Sequence, residues 1–152
     1  MVLYRIVNCS YADLSGTGAR LFGGRWSSVG KSAVYLASSR ALAVLEVLVH
    51  LPPLMIPDNY CLVEIQVPDN NVTNIDIKDL PPNWRDLSPP AALKQIGNAF
   101  LTKQEHLLMG TPSSIVPMEY NYLLNPLHVA MSEVKTLKKE PFDFDSRLVV
   151  SH

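Results

Sequence analysis

The segment from Ser39 to Leu51 places two chemically active side chains in an otherwise apolar run. Nearly every residue between positions 41 and 49 is apolar, which predicts a helix that is buried on all sides. Glu46 and His50 lie four residues apart and so share one helical face. A glutamate is almost never fully buried without a partner, because an unpaired charge in an apolar interior is costly. Glu46 is therefore expected either to meet a cation or to open into a cleft.

Arg25 and Tyr35 lie close to this helix in the sequence and suit a phosphate-bearing ligand. Arg25 follows two glycines, which let the backbone approach a ligand closely. Its guanidinium group matches phosphate oxygens in two-pronged geometry, and a tyrosine ring stacks on flat heterocycles. Each residue also has a structural alternative, since Arg25 suits a solvated turn and Tyr35 a core position. The alternative for Glu46 is an ion pair with one of three cations: Arg25, Arg5 or Arg40.

The glycine-rich stretch 23–39 is not a nucleotide-triphosphate loop, although it contains Gly30, Lys31 and Ser32. Such a loop needs a glycine five residues before the glycine that precedes the lysine, and that position is Arg25. A dinucleotide fingerprint beginning at Gly16 fails as well, because position 21 is a leucine. The chemistry of this stretch must come from its side chains.

Length and composition predict one domain spanning residues 1–152, and the order of its predicted strands and helices, which do not alternate strictly, favours the α+β class. The 152 residues are 47% hydrophobic and carry 13 basic and 14 acidic side chains, so nothing indicates direct binding to nucleic acid or to a membrane surface. The N-terminus lacks a long apolar region, so no signal peptide is expected, and the longest apolar run is too short to span a bilayer. Two cysteines without close spacing predict neither a disulfide framework nor a zinc site, which fits a reducing cytoplasm.

Hydrophobic periodicity predicts a mixed or antiparallel sheet with a few helices. Ser38 or Ser39 is expected to cap a helix that reaches about His50, and the proline-rich stretch 51–59 ends it. A second helix is predicted from about 90 to 108, with Ser88 as its cap and Pro89 at its first position. The remaining segments are listed by position: strands at 2–7, 33–37, 60–67 and 71–77, an extended segment at 113–117, one or two helical turns at 118–126, and late strands at 128–135 and 142–150.

Several of these stretches together resemble the RES domain, the toxin half of a bacterial toxin–antitoxin system whose partner is an Xre-type antitoxin. The resemblance runs from residue 4 to about 128 and rests on five stretches: YR at 4–5, GGRW at 23–26, AVYLASS at 33–39, ALAVLEVLVH at 41–50 and TPSSIVPMEYNYLLNPLH at 111–128. It implies a compact, single-domain α+β fold with a split sheet, similar to ADP-ribosyltransferases. It also implies a cytoplasmic protein that uses NAD as its substrate, needs no metal or cofactor, and assembles with the antitoxin into an oligomeric complex.

The resemblance further implies cleavage of the bond between ribose and nicotinamide in NAD. The transition state of that reaction is similar to an oxocarbenium ion, as in glycoside cleavage, so positioning and charge stabilisation are its main needs. Glu46 is expected to bind the ribose hydroxyls and offset the growing positive charge. The family's serine follows a proline, which points to Ser113, with Ser114 as the adjacent alternative.

The other site residues are assigned on the same basis. Arg25 is expected to bind the diphosphate, and Tyr35 to stack on nicotinamide. Ser113 is expected to hold Glu46 or the substrate, and His50 to orient Glu46 or a water molecule. Three further residues complete the predicted substrate-binding set: Arg5 as a second phosphate ligand, Ser38, and Asn121, which also suits a local structural hydrogen bond.

Three functions remain open from the sequence. The leading one is NAD degradation by hydrolysis or phosphorolysis, which would deplete NAD and arrest growth. The second is transfer of ADP-ribose to a cytoplasmic protein. The third is a non-catalytic module that binds a partner, in which Glu46 and Arg25 form a buried ion pair.

Overall fold

A seven-stranded mixed sheet forms the centre of the fold. The structure is a computed structural model that describes residues 1–52 and 55–148. Within these residues the strands are β1 (Val2–Asn8), β2 (Val34–Ala37), β3 (Tyr60–Gln66), β4 (Val72–Asn74), β5 (Leu108–Pro112), β6 (Tyr120–Leu124) and β7 (Lys135–Pro141). The sheet has the order β4-β5-β6-β2-β1-β3-β7, in which β4 and β5 pair in parallel and the other neighbours pair antiparallel. The predicted α+β class with a mixed sheet is confirmed.

Three α-helices accompany the sheet in the described residues: α1 (Thr17–Phe22), α2 (Arg40–Leu48) and α3 (Ala91–Lys103). The start of α2 follows the predicted signal, because the Ser39 side chain accepts a hydrogen bond from the Leu42 N–H at 3.0 Å. Short 3₁₀ helices occupy 9–11, 77–79, 129–133 and 146–148. None of the described helices is both long enough and apolar enough to cross a membrane.

The sheet divides where β1 and β2 meet. β1 pairs with β3 along its whole length, from Val2 to Asn8, but the register between β1 and β2 has a single pair, Tyr4 and Ala37. On its other side β2 pairs with β6 at four positions. Because β1 and β2 diverge beyond Tyr4, a gap opens between the two halves of the sheet, and the predicted split falls there.

Apolar burial on both faces holds the sheet in place. One face carries a cluster built on Leu3, Val34, Leu36, Val63, Ile65, Leu108 and Leu124. The opposite face carries two clusters. The first of them packs α2 against the sheet through Leu42 and Ala43, and the second packs α3 against Trp26 and Trp84. The positions of α2 and of the Trp26 segment are thereby set by the removal of apolar surface from water.

The predicted burial of the whole α2 helix is wrong. Only Leu42 and Ala43 are buried, whereas Leu45 is 37% exposed and Val49 is 54% exposed. The helix lies against β1 and β2 on one side only, and its other apolar side faces outward. Apolar residues on every side of the helix therefore did not mean that every side is buried.

The second predicted helix is shorter than expected. It begins after Pro90 rather than after a Ser88 cap, and it ends where Gln104 takes a left-handed conformation at φ 54°. Residues 108–112, assigned to its end and its stop, form β5 and are buried throughout. A short apolar run that is buried on both faces shows no alternation of apolar and polar residues, so its sequence does not distinguish a strand from a helix.

The C-terminal segments also differ from the prediction. Residues 118–126 contain β6 rather than helical turns, and 129–133 form a 3₁₀ helix in which His128 Nδ1 accepts from the Ala130 N–H at 3.0 Å. The last strand is β7, an edge strand whose exposed lysines gave no apolar pattern. The segment 142–150, predicted as a strand, is irregular from 142 to 145 and forms a 3₁₀ helix from 146 to 148. Its last two residues lie outside the described part of the chain. Residues 53 and 54, in the proline-rich stretch predicted to end α2, also lie outside it. Helix α1 fell in a glycine-rich stretch that the sequence did not mark as helical.

The two cysteines form a disulfide, contrary to the prediction. Cys9 and Cys61 are 52 residues apart in sequence, but their Cα atoms are 5.0 Å apart. The register of β1 and β3 pairs Asn8 with Tyr60, which brings the cysteines next to these two residues together. Their proximity depends on strand register, which cysteine spacing does not reveal.

Close backbone approach makes Gly97 a sensitive position in α3. A Cβ atom at Gly97 would lie 1.6 Å from the Trp26 carbonyl oxygen, so either α3 or the Trp26 segment would have to move. We expect Gly97→Ala to lower the free energy of unfolding by about 1–3 kcal/mol, as overpacking does. Urea unfolding followed by tryptophan fluorescence measures the change.

Gly18→Ala is the matched control for that experiment. Gly18 is also helical, but a Cβ atom there has nothing within 4 Å. Replacing a helical glycine by alanine in open space is expected to raise the free energy of unfolding by about 0.5–1 kcal/mol. Equal destabilisation by the two variants would contradict the close packing of α3 on Trp26.

Candidate active site

Glu46 lies in α2, half-buried, with one carboxylate oxygen held by two donors. Its Oε1 accepts from Ser113 Oγ at 2.8 Å and from Asn121 Nδ2 at 2.6 Å. Ser113 follows β5, and Asn121 lies in β6 opposite Ala37. In the described part of the chain no donor reaches Oε2. The carboxylate is therefore oriented by the protein through one oxygen while the other stays free to accept.

The environment of Ser113 fixes the direction of its hydroxyl proton. Ser113 is fully buried, and its Oγ accepts from the backbone N–H groups of Ile115 and Val116 at 3.1 Å each. With both acceptor positions filled, the hydroxyl donates to Glu46. The Ser114 carbonyl accepts instead from Arg85 Nε at 2.9 Å. Of the two candidate serines, Ser113 is the one that reaches Glu46.

Arg25 is anchored by backbone carbonyls. Its Nη1 donates to the carbonyl oxygens of Trp84 at 3.0 Å and Asp86 at 3.1 Å. Burial lowers the pKa of Arg25, whereas the charge of Glu46, followed by Asp86 and Tyr35, raises that pKa in part. Arg25 and Glu46 therefore lie close enough for their charges to interact.

The ion pair that would make Glu46 purely structural is not formed. In residues 1–52 and 55–148 no lysine or arginine nitrogen lies within 4.0 Å of its carboxylate. Arg40, one of the three cations considered, pairs with Glu64 instead. Glu46 thus keeps its carboxylate without a cationic partner in contact.

Tyr35 supports the turn that carries Arg25. Its hydroxyl accepts from the Trp26 N–H at 3.1 Å and lies 2.8 Å from the Ser27 hydroxyl. A Cβ atom at Gly24 would be 2.5 Å from that hydroxyl oxygen, so glycine is needed for the turn to pack over the ring. Burial raises the pKa of Tyr35, although its hydrogen bonds and Arg25 oppose the rise.

A cavity of about 210 Å³ opens at the split of the sheet. Its wall includes Arg5, Tyr35 and two aromatic residues that project into solvent, Tyr11 and Phe22, the latter 75% exposed. Arg5 Nη1 donates to the Asp13 carbonyl at 2.8 Å, and burial lowers the pKa of Arg5 while the charge of Asp13 opposes this. The cavity therefore combines a cation with exposed aromatic rings, a combination suited to phosphates and flat bases.

The predicted site residues fall into separate groups: Arg5 and Tyr35 line the cavity, but among the described residues its lining does not include Glu46, Arg25, Ser113 or Asn121. Two further predicted residues, His50 and Ser38, belong to neither group. His50 lies beyond the end of α2 and is exposed, and the hydrogen bonds to Glu46 come from Ser113 and Asn121. Ser38 is exposed at the bend between β2 and α2. Sharing a helical face with Glu46 did not bring His50 to the carboxylate, because the helix ends at Leu48.

Sequence reasoning missed the segment Trp84–Asp86, which it treated as part of a proline-rich connection. The carbonyls of Trp84 and Asp86 hold Arg25, and the Arg85 side chain contacts the serine segment. The available signal was a tryptophan and an arginine side by side in a stretch otherwise rich in turn formers. A buried tryptophan in such a stretch indicates a loop fixed to the core.

Comparison with known proteins gives consistent matches along the chain. A family model described as the RES domain matches residues 2–145. The chain is 40% identical over 152 residues to a protein named Toxin Res from Photorhabdus laumondii subsp. laumondii, covering 98% of this chain and 97% of that protein. It is 41% identical over 141 residues to a Prs ADP-ribosylating toxin from Sphingobium sp., covering 90% of this chain and 87% of that protein.

A solved structure has the same fold. It is the crystal structure of the M. tuberculosis MbcT–MbcA toxin–antitoxin complex, one chain of which matches with a TM-score of 0.74. The match covers 93% of this chain and 84% of that chain at 19% identity. At this identity the likeness concerns the fold.

The hydroxyl of Tyr35 gives a test of how the Arg25 turn is held. Tyr35→Phe leaves the Trp26 N–H and the Ser27 hydroxyl without their partner, so we expect it to lower the free energy of unfolding by about 1–3 kcal/mol at pH 7. The folded-state pKa of Tyr35 is raised, so its stabilising effect is complete below the ordinary tyrosine pKa of about 10 and is lost as pH rises through the folded-state value. The difference in free energy of unfolding between wild type and Tyr35→Phe should therefore narrow above pH 10 in urea unfolding.

Tyr11→Phe, at an exposed position, is the control and should match the stability of wild type at pH 7. A stability difference between wild type and Tyr35→Phe that stays constant up to pH 11 would contradict the role given to the Tyr35 hydroxyl.

Proposed function

The chain belongs to the RES domain family, and from this premise we propose that it is the toxin of a toxin–antitoxin system and cleaves NAD between nicotinamide and ribose. The observation that carries the proposal is the Glu46 carboxylate, oriented through Oε1 and free at Oε2, with Arg25 near it but not in contact. An acid and a cation that are near each other but not in contact suit a ligand that carries both hydroxyl groups and phosphates.

In the proposed reaction the carboxylate is needed to stabilise positive charge rather than to remove a proton. When the bond between ribose C1′ and nicotinamide breaks, its electron pair leaves with nicotinamide and positive charge develops on the ribose ring. Glu46 Oε2 would accept hydrogen bonds from the ribose hydroxyls and stabilise that charge. A water oxygen then bonds to C1′ and releases a proton to give ADP-ribose; a phosphate oxygen in its place gives ADP-ribose 1-phosphate.

The remaining residues divide into ligands and supports. Arg25 is proposed to bind the diphosphate with the nitrogens that the Trp84 and Asp86 carbonyls do not occupy, and Arg5 to act as a second phosphate ligand. Tyr35 lies under the Arg25 turn and also lines the cavity, and the part of its ring that faces the cavity is proposed to stack on a base. Ser113 and Asn121 act as supports, because each donates a hydrogen bond to Glu46.

An antitoxin protein is the proposed partner, and the cytoplasm the proposed location. The location follows from the family resemblance, because the Cys9–Cys61 disulfide removes the cysteine argument for a reducing compartment. Support comes from relatives named as toxins and from a structural neighbour solved as a toxin–antitoxin complex. The Xre type of the antitoxin follows from the family resemblance alone. Mixing purified toxin and antitoxin and weighing the complex by light scattering tests both the partnership and its stoichiometry.

Transfer of ADP-ribose to a protein is the second candidate function. It is favoured by the relative at 41% identity that is named a Prs ADP-ribosylating toxin. NAD labelled in its adenosine part separates the two functions. Label that stays on a protein band supports transfer, and mass spectrometry of free products distinguishes ADP-ribose from its 1-phosphate.

Replacing Glu46 by glutamine tests the central role. The amide oxygen of Glu46→Gln can still accept from Ser113 and Asn121, so we expect the melting temperature to stay within a few degrees of wild type. Loss of the negative charge should lower kcat for nicotinamide release by about 10²–10³-fold, the effect of removing one electrostatic stabiliser. Chromatography of nicotinamide released from NAD measures this.

Glu64→Gln is the matched control, because Glu64 pairs with Arg40 away from the Glu46 carboxylate. It should retain wild-type turnover. NAD cleavage at the wild-type rate by Glu46→Gln would remove Glu46 from the reaction. Absence of turnover in the wild type, with and without phosphate and free of antitoxin, would count against NAD cleavage altogether.

The cavity at the split can be closed without touching a charged residue. Gly18 borders it, and a side chain there begins in open space, so Gly18→Leu should fold while filling part of the cavity. If a part of NAD binds there, KM for NAD should rise by about tenfold or more while Gly18→Ala stays near wild type. An unchanged KM in a folded Gly18→Leu protein would place the substrate outside the cavity.

A further inference from the structure

The connection before α3 contacts both halves of the proposed site through three consecutive residues. Trp84 is buried in the cluster under α3, which fixes the connection to the core. The carbonyls on either side of Arg85, those of Trp84 and Asp86, hold Arg25 at 3.0 and 3.1 Å. Arg85 itself is exposed and turns the other way, toward Ser114.

The contact of Arg85 reaches the Glu46 support within one residue. Arg85 Nε donates to the Ser114 carbonyl at 2.9 Å, and the preceding Ser113 donates to Glu46 Oε1 at 2.8 Å. A continuous chain of contacts therefore runs from Arg25 through residues 84–86 to Ser113 and Glu46. Arg25 lies in the turn before β2 and Glu46 in helix α2, and the Tyr35 hydroxyl holds the same turn to β2.

We propose that Arg85 is a positioning residue that sets the separation between Arg25 and Glu46. Two opposite charges near each other attract, and in partly buried surroundings that attraction is stronger than in water. A direct ion pair would close the space between them and occupy Oε2. Tying the Arg25 anchor to the serine segment keeps the two charges apart and leaves that space to the substrate.

The side-chain type matters for this role. The Arg85 guanidinium is planar and always charged, so its Nε–H makes a directed, charge-assisted bond to a carbonyl. Because Arg85 is exposed, the bond adds little to global stability. Its loss is therefore expected to change the geometry of the site rather than the folding of the chain.

The role of Arg85 in turnover rests on the proposed cleavage of NAD, so the test combines kinetics with a measurement that needs no substrate. We expect Arg85→Ala to raise KM for NAD and lower kcat, each by about tenfold, with partial recovery in Arg85→Lys. In an Arg25→Ala background the KM effect of Arg85→Ala should shrink to about twofold or less, because the two residues act through one contact chain. Arg147→Ala, which removes an exposed arginine paired with Asp145, is the control and should match wild type.

Hydrogen exchange provides the second measurement. The N–H groups of Ile115 and Val116 donate to Ser113 Oγ, so they should exchange faster in Arg85→Ala than in the Arg147→Ala control. The proposal would be overturned if the kinetic constants and the exchange rates of Arg85→Ala both equal those of the control. It would also be overturned if the KM increase in the double variant equals the product of the increases in the Arg25→Ala and Arg85→Ala single variants. If the wild type does not cleave NAD, the proposed function fails, and exchange at these two amides alone decides the role of Arg85.

Discussion

The two hydrogen bonds to Glu46 Oε1 are the contacts on which the order of the site depends. The acceptor belongs to α2, one donor to the segment after β5 and the other to β6, so three elements meet at one atom. Charge-assisted hydrogen bonds of this kind are stronger in partly buried surroundings than in water. The backbone N–H groups that hold Ser113 Oγ extend the network into the turn before β6. The carboxylate is oriented before any ligand arrives, which is the condition for electrostatic stabilisation without reorganisation.

The same network explains why Arg25 and Glu46 differ from a structural ion pair. A buried pair in contact would satisfy both charges and would contribute little beyond shape. Here the guanidinium is satisfied by carbonyls at 3.0 and 3.1 Å, and the carboxylate by a hydroxyl and an amide, so each charge is held without neutralising the other. Burial also lowers the pKa of Arg25, an unfavourable contribution that remains in the folded protein. Charges kept apart at such a cost are typical of binding sites rather than of stabilising contacts.

The sequence predicted the N-terminal half of the fold and the local part of the site better than the rest. Alternating apolar residues and the Ser39 cap identified β1, β2, α2 and β3, and the stretch 23–50 contains the side chains that carry charge. β5 was missed because burial on both faces removes the period of two, and β7 because an exposed edge strand carries lysines instead of apolar residues. β6, whose first three residues are only partly buried, lies in a stretch predicted as helical turns. The disulfide and the Ser113 contact depend on strand register and turn geometry. The sequence could not indicate how Arg25 is anchored, because its hydrogen-bond partners are backbone carbonyls, which every residue type supplies.

Unfavourable features of the fold occur in β6 and in the segment that leads into β2. The Asn121 Oδ1 atom is buried and has no partner among residues 1–52 and 55–148, Phe22 projects into solvent, and Arg25 is partly desolvated. On the far side of β1 the strands pair along seven residues, and the Cys9–Cys61 disulfide joins their ends. The long ladder and the disulfide therefore lie in the half of the sheet away from these features. The ladder between β1 and β2 has to be short for the cavity lined by Arg5 and Tyr35 to exist, because a continuous ladder would close the gap between the two strands.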